Sequence, residues 1–163
     1  MAKEKKTNAA RILDGLGIKY TLHTYPVDPD HLEATRVAEE VGQPVERVFK
    51  TIVLKGDKTG PIVCVVSANR EVNLKKAAKA SGNKSVSPLP LKDLLATTGY
   101  IRGGCTAIGM KRKFPVYVSE EFPNLETVFI SAGQRGMQIE ITPADYLRAT
   151  DAVPADIITV EGD

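Results

Sequence analysis

One predicted strand carries a lysine where a charge is costly, and this limits the folds that the chain can adopt. Residues 47–55 are rich in branched and aromatic side chains, which is typical of a β-strand. By alternation, one face of this strand carries Val48, Lys50, Ile52 and Leu54, and the other carries Phe49, Thr51 and Val53. Both faces are mainly apolar, so we expect a central strand whose lysine lines a pocket. The alternative is a lysine whose stem packs while its ammonium group reaches water.

The overall composition narrows the class of protein. The chain has 163 residues, of which 42% are hydrophobic and 26% charged, and we expect one globular domain over residues 1–163. We expect neither a membrane span nor a secretion signal, since the apolar runs are strand-length and no apolar segment follows Met1–Lys6. With two cysteines, Cys64 and Cys105, the chain suits the reducing cytoplasm. A net charge of +2 argues against binding through phosphate contacts alone, and we do not expect DNA as a partner.

Capping and turn signals divide the chain into short helices and strands. Helices are predicted after the Thr7 cap, after a capping box of Asp30 and Glu33, over residues 73–80 and 91–98, and from the Thr142 cap. Strands are predicted over residues 19–25, 47–55, 61–67, 116–119, 127–131 and 138–141. This mixture, without strict strand–helix alternation, predicts an α+β domain around a mixed, mostly antiparallel sheet.

The residues that most often carry chemistry form no familiar catalytic motif. The sequence contains no nucleophile elbow, phosphate-binding P-loop or dinucleotide fingerprint. His23 and His31 lack spaced acidic partners, so we expect no metal and no cofactor. Cys105 follows two glycines, but no neighbour in sequence clearly lowers its pKa, which favours a packed wall residue over a nucleophile. Cys64 lies in an apolar strand and is expected in the core.

Two glycine-rich loops and three basic clusters are candidate binding elements. Residues 103–109 and 131–136 could present backbone amides to a phosphate, carboxylate or carbonyl oxygen, although ordinary turns need similar glycines. Basic residues cluster within residues 3–6, 75–84 and 111–113. They form either a solvated surface or a discontinuous track for RNA.

Several segments, taken together, resemble the YbaK/EbsC family, the free-standing relatives of the editing domain in bacterial prolyl-tRNA synthetases. In chain order, the resembling segments are Lys6–Tyr20, Val48–Thr51, Gly99–Gly104, Ser131–Gly136 and Gln138–Glu140. The resemblance covers nearly the whole chain and implies a compact domain with a distorted mixed sheet flanked by short helices. It implies a trans-editing enzyme that removes cysteine from tRNA(Pro), with tRNA(Cys) as a further candidate substrate. Prolyl-tRNA synthetase is the implied candidate partner.

The resemblance also implies a set of site residues. Lys50 takes the catalytic position, and the implied substrate-binding residues are Tyr20, Phe49, Thr51, Gly103, Gly104, Ser131, Ala132 and Gly133. Residues 105–107 depart from the family pattern of an apolar residue, a hydroxyl residue and a proline, which leaves the amino-acid preference open.

The absence of a familiar nucleophile agrees with the mechanism that the resemblance implies. The cysteine cargo carries a thiol that can attack its own ester, so the protein would supply position and charge. The alternatives are a water-dependent deacylase for alanine or another small amino acid, a non-catalytic tRNA-binding module, and a small-ligand binding domain.

Overall fold

The computed structural model describes residues 6–163, and short helices and strands alternate irregularly along them. The helices are α1 Asn8–Gly15, α2 Ala34–Val41, α3 Leu74–Ser81, α4 Leu91–Thr98 and α5 Pro143–Thr150, with a 3₁₀ turn at Phe122–Asn124. The strands are β1 Thr21–Thr24, β2 Phe49–Gly56, β3 Gly60–Ser67, β4 Val86–Pro88, β5 Val116–Ser119, β6 Val128–Ser131, β7 Met137–Ile141 and β8 Val153–Ala155. Within residues 6–163, no helix is long and apolar enough to cross a lipid bilayer.

The strands form two sheets that meet at the start of β2. The larger sheet has the order β4-β2-β3-β5-β8, in which β2 is antiparallel to both neighbours while β3, β5 and β8 run parallel. The smaller sheet is antiparallel, with the order β1-β7-β6. A bridge between Val48 and Phe129 joins the two sheets. The predicted α+β class with mixed strand pairing is thus confirmed, and the pairing is divided between two sheets.

Four helix ends have the predicted caps, which are either one threonine side chain or one glycine. Thr7 and Thr142 cap α1 and α5, because each hydroxyl accepts a hydrogen bond from the backbone N–H three residues later. Gly82 and Gly99 end α3 and α4 in the left-handed conformation, which glycine adopts without a Cβ clash.

The predicted capping box at Asp30 and Glu33 is wrong. Helix α2 begins at Ala34, and Glu33 occupies the N-cap position without a side-chain capping bond. The carboxylate of Asp28 instead accepts a hydrogen bond from the Asp30 backbone N–H at 3.0 Å. The Asp28 side chain therefore stabilises the turn that leads into the helix.

Two short strands have no counterpart among the predicted ones. Strands β4 and β8 lie at opposite edges of the larger sheet, and each contains a proline, Pro88 or Pro154. Proline cannot donate to a sheet ladder but is tolerated on an edge strand. Three residues are also too few to display a clear alternation.

The main apolar core fixes the orientation of β2. Phe49 is 3% exposed and packs edge to face on Phe122, with ring centroids 4.9 Å apart. Phe122 in turn lies against Tyr146 of α5 at 5.1 Å. Burial of a large apolar side chain stabilises a fold by about 1.5–3 kcal/mol, so Phe49 anchors the strand firmly. Because neighbouring side chains alternate, this anchoring directs Lys50 to the other face.

Candidate functional site

A cleft of about 560 Å³ lies beside β2, and both sheets contribute to its wall. Its walls come from β2 and β7, the ends of β6 and β4, the segment after β3, the beginnings of α2 and α4, and the loop after α4. The polar or charged side chains lining it are Glu33, Thr35, Lys50, Thr51, Glu71, Arg102, Ser131 and Gln138. Apolar residues such as Leu91 and Leu94 complete the wall. The volume is in the range typical of small-molecule sites.

Lys50 lines this cleft, as the strand pattern predicts. Its side chain is 21% exposed, and its Nζ lies 3.4 Å from the backbone oxygen of Ala68 and 3.3 Å from Glu71 Oε1. Both hydrogen bonds are long, and the Glu71 side chain is 83% exposed, so this ion pair is weak. Among residues 6–163 these are the acceptors of the ammonium group, which leaves one of its three N–H groups for a ligand.

The two glycine-rich loops, far apart in sequence, pack against each other beside the cleft. Gly103 lines the cleft with a φ of +87°, a conformation that L side chains rarely adopt. A Cβ on Gly104 would lie 3.0 Å from the Cα of Gln134, so the close contact between the loops requires glycine. The Arg135 side chain donates a hydrogen bond at 2.8 Å to the backbone oxygen of Arg102 and ties the loops together.

Ser131 is the member of the second loop that lines the cleft. Its hydroxyl oxygen accepts a hydrogen bond from the Gly133 backbone N–H at 3.1 Å, and the residue is 8% exposed. The Ala132 backbone N–H donates a hydrogen bond at 3.0 Å to the backbone oxygen of Met137. The two amides are therefore used inside the turn, while the Ser131 hydroxyl can still donate its proton to a ligand.

Comparisons with known proteins agree with this architecture. Residues 28–149 match the sequence profile of the aminoacyl-tRNA editing domain. The chain belongs to the aminoacyl-tRNA editing domain family. It is 51% identical to EbsC of Enterococcus faecalis over 99% of this chain and 100% of that protein, which is provisionally named a Cys-tRNA(Pro)/Cys-tRNA(Cys) deacylase. It is 27% identical to the uncharacterised protein YwhH of Bacillus subtilis, over 68% of this chain and 69% of that one.

The editing-domain fold also recurs in solved structures. A protein described provisionally as a trans-editing enzyme for prolyl-tRNA synthetase superposes with a TM-score of 0.79. The match covers 96% of this chain and 100% of that one, at 23% identity. At that identity the likeness concerns the fold, and it agrees with the expected editing-domain architecture.

Tyr20 of this editing domain lies outside the lining of the cleft. Its hydroxyl donates a hydrogen bond to Asp14 at 2.9 Å, and the same carboxylate accepts one from Lys6 at 2.7 Å. Partial burial, followed by the bond to Asp14, raises the pKa of Tyr20. The ring packs on the main core, which also contains Phe49 and Ala132, and Tyr20 is not among the residues that line the cleft.

Phe49 and Thr51, in contrast, lie in the cleft wall on either side of Lys50. Gly104, Ala132 and Gly133 are not among the lining residues, but each lies within two positions of the lining residue Gly103 or Ser131. Of the predicted set, Phe49, Lys50, Thr51, Gly103 and Ser131 therefore line the cleft, while the other members do not.

The thiols of the editing domain are poor nucleophiles. Cys105 lines the cleft, but burial raises its pKa to about 12. Burial also raises the pKa of Cys64, in the core, to about 12. At neutral pH both thiols are protonated, which agrees with the interpretation of Cys105 as a packed wall residue. Residues 6–163 contain no cluster of histidine, cysteine and acidic side chains that could hold a metal ion.

Five polar residues of the cleft are not in the predicted site: Glu33, Thr35, Glu71, Arg102 and Gln138. For two of them, Arg102 and Gln138, the sequence did offer a signal. Arg102 directly precedes the Gly103–Gly104 pair, and this adjacency was the available signal. Gln138 stands between the buried apolar residues Met137 and Ile139, so alternation could have marked it as facing away from the core.

Proposed function

We propose that this editing domain, extending over the whole chain, is a trans-editing deacylase that removes cysteine from misacylated tRNA(Pro). Charged tRNA(Cys) is a further candidate substrate. The observation that carries the proposal is a cleft that holds a lysine ammonium group beside hydroxyl and amide side chains, but no activated nucleophile. The 51% identity to EbsC, whose provisional name describes this activity, supports the proposal.

The cleft suits an aminoacyl ester in which the side-chain thiol of the amino acid cleaves the ester bond. The cysteine sulfur attacks its ester carbonyl, a carbon–sulfur bond forms, and the bond to the ribose oxygen breaks. The thiol proton passes to the ribose oxygen, so the products are a four-membered thiolactone and tRNA with a free terminal hydroxyl. The protein has only to hold the ester in a reactive conformation and to stabilise the charge that develops on the carbonyl oxygen.

Lys50 is suited to the second task. Its ammonium group is held at the cleft wall by Ala68 and Glu71 and retains an N–H group for the substrate. Inside a cleft that partly excludes water, a positive charge stabilises a developing oxyanion more strongly than in bulk solvent. Arg102, at the same cleft, suits the phosphate of the terminal nucleotide.

Recognition of the tRNA body is expected to be weak. The ammonium group of Lys76 is already paired with Asp156 at 3.4 Å and Asp163 at 2.9 Å, and Lys113 is paired with Asp151. The basic residues Lys3 and Lys5 lie outside the described residues. We therefore propose that prolyl-tRNA synthetase supplies tRNA identity as a partner, in the cytoplasm, where two free cysteines remain reduced.

The test is multiple-turnover deacylation of tRNA(Pro) charged with cysteine, alanine or serine. A substrate-thiol mechanism predicts that cysteine is removed about 100-fold or more faster than alanine or serine, relative to spontaneous hydrolysis. Equal rates on cysteine and alanine would instead establish the water-dependent alternative. Stoichiometric protection without turnover would indicate a tRNA-binding module, and no response to tRNA would indicate a small-ligand domain.

A further inference from the structure

A buried polar atom in the cleft is not explained by the fold. Gln138 lines the cleft and is 4% exposed, and its side-chain oxygen Oε1 has no hydrogen-bond partner among residues 6–163. A buried carbonyl without a donor is costly, and a fold usually keeps such a group only where something else requires it. A ligand that donates a hydrogen bond would satisfy this oxygen.

The strand register places Gln138 where the cleft is most polar. Gln138 is directly opposite Ser131 on β6, and both side chains line the cleft. The neighbouring residues Met137 and Ile139 point into the main core on the other face of the sheet. Ser131 and Gln138, 8% and 4% exposed, are the most buried polar side chains of the cleft wall. Only the part of a substrate that enters the cleft most deeply could contact this pair.

The aminoacyl group is the small end of the substrate and the part that can enter most deeply. Apart from its thiol, its hydrogen-bond donor is the α-amino group, which must find an acceptor when it leaves water. Lys50 and Arg102 carry only donors. The carboxylates of Glu33 and Glu71 are 56% and 83% exposed, so they lie at the solvent side of the cleft. The buried Ser131 hydroxyl already accepts a hydrogen bond from the Gly133 N–H, whereas Gln138 Oε1 is a buried acceptor without a donor among residues 6–163.

We propose that the side-chain oxygen of Gln138 accepts a hydrogen bond from the α-amino group of the aminoacyl ester. This inference rests on the proposed deacylase function and assigns a specific part of the substrate to one residue. The bond would fix the Cα of the cargo and so direct its thiol at its own carbonyl carbon. The Ser131 hydroxyl, directly opposite, remains to donate to an ester oxygen.

The experiment compares two substrates that differ only at this group: tRNA(Pro) charged with cysteine, and tRNA(Pro) charged with 3-mercaptopropionate, which keeps the thiol but lacks the amine. Each is assayed with the wild type, with Gln138→Met, which keeps the side-chain length without polar atoms, and with Gln138→Glu, which keeps an acceptor. Gln43→Met, a half-exposed glutamine outside the cleft lining, is the matched control.

Gln138→Met is expected to lower kcat/KM about 10- to 100-fold on the cysteine ester and less than about threefold on the deaminated ester. Gln138→Glu is expected to remain within about tenfold of the wild type on the cysteine ester, and Gln43→Met within about twofold on both. Equal losses on both esters for Gln138→Met would overturn the assignment of the amine.

A failure of the proposed function would look different, because the wild type itself would not deacylate the cysteine ester. If Gln138→Met does not fold, the ratio of the two esters is measured with Gln138→Leu and Gln138→Glu. A wild-type preference for the amine-bearing ester that both variants retain in full would overturn the inference.

Discussion

Buried polar side chains lie beside both ends of β2, but their hydrogen bonding differs between the two ends. At the far end, the Asn83 side chain is fully satisfied: its oxygen accepts hydrogen bonds from the backbone N–H groups of Lys58 and Thr59 at 2.8 and 3.0 Å. Its nitrogen donates to the hydroxyls of Thr59 and Ser81 at 3.0 and 2.8 Å. At the cleft end, Lys50 makes two long hydrogen bonds, and the oxygen of Gln138 has no partner among the described residues.

This difference separates a group that holds the fold from one that serves a ligand. The Asn83 corner is tightly packed, since a Cβ on Gly56 would lie 2.4 Å from the Asn83 nitrogen. A satisfied and enclosed amide contributes to stability and leaves nothing for a substrate. At the cleft end, the weakly bonded Lys50 and the unbonded Gln138 oxygen contribute less to stability, but they remain available to a substrate. We therefore expect substitutions at the two ends to affect different measurements.

Asn83→Ala is expected to have the largest effect on stability, a loss of about 3 kcal/mol, because it leaves two backbone N–H groups without their acceptor. Urea denaturation measures this loss, with Asn124→Ala at an exposed site as the control. Deacylation per folded molecule should stay within about twofold of the wild type. A loss of activity without a loss of stability would contradict the contrast between the two ends.

Glu140 sharpens the comparison, because it is on the same strand as Gln138 but has partners. Its carboxylate accepts hydrogen bonds from Thr127 at 2.7 Å and His23 at 3.0 Å, and Arg47 lies at 3.6 Å. The Thr127 bond is the largest cause that lowers the pKa of Glu140; burial opposes it, and the His23 bond and the charges of His23 and Arg47 add to the lowering. A lowered pKa stabilises the fold above the unfolded value of about 4.3, and this stabilisation is lost as the pH falls further.

Glu140→Gln should therefore lower the free energy of unfolding by about 1 kcal/mol at pH 7, since the group is partly exposed. At pH 3 the difference from the wild type should be smaller. Urea denaturation at the two pH values measures both differences. A loss that is as large at pH 3 as at pH 7 would show that the charge of Glu140 does not contribute.

Among the substitutions of cleft residues, Cys105→Ala is expected to have the smallest effect on activity and to lower kcat/KM less than about threefold. The reason is that a thiol whose pKa is about 12 is protonated at neutral pH. The wild type should also resist iodoacetamide at neutral pH in the absence of substrate. Loss of most activity in this variant, together with rapid alkylation of the wild type, would identify a protein nucleophile and contradict a mechanism that depends on the thiol of the substrate.

Local signals predicted the parts of the fold that depend on neighbours in sequence. The alternation around Lys50 correctly indicated a strand with a neighbour on each side, and Thr7 and Gly82 correctly marked helix ends. The division into two sheets could not be predicted in this way. It depends on contacts such as the bridge between Val48 and Phe129, which are 81 positions apart (129 minus 48).

The candidate site was predicted only in part, for the same reason. Lys50, Gly103 and Ser131 were expected and line one cleft, whereas Tyr20 was expected and binds Asp14 outside the lining. The role of Gln138 was missed because alternation indicates only which face of a strand a glutamine occupies, and not whether its side chain finds hydrogen-bond partners. Its significance depends on an unsatisfied oxygen, which only three-dimensional packing reveals.

The most direct test of the distinction between the two ends is multiple-turnover deacylation of Cys-tRNA(Pro) by Lys50→Ala. The control is Lys55→Ala, which removes an exposed lysine of the same strand outside the cleft lining. We predict that Lys50→Ala folds with nearly unchanged stability and loses about 100-fold or more in kcat/KM, while Lys55→Ala stays within about twofold of the wild type. Turnover by Lys50→Ala at the wild-type rate would contradict the central role of this ammonium group.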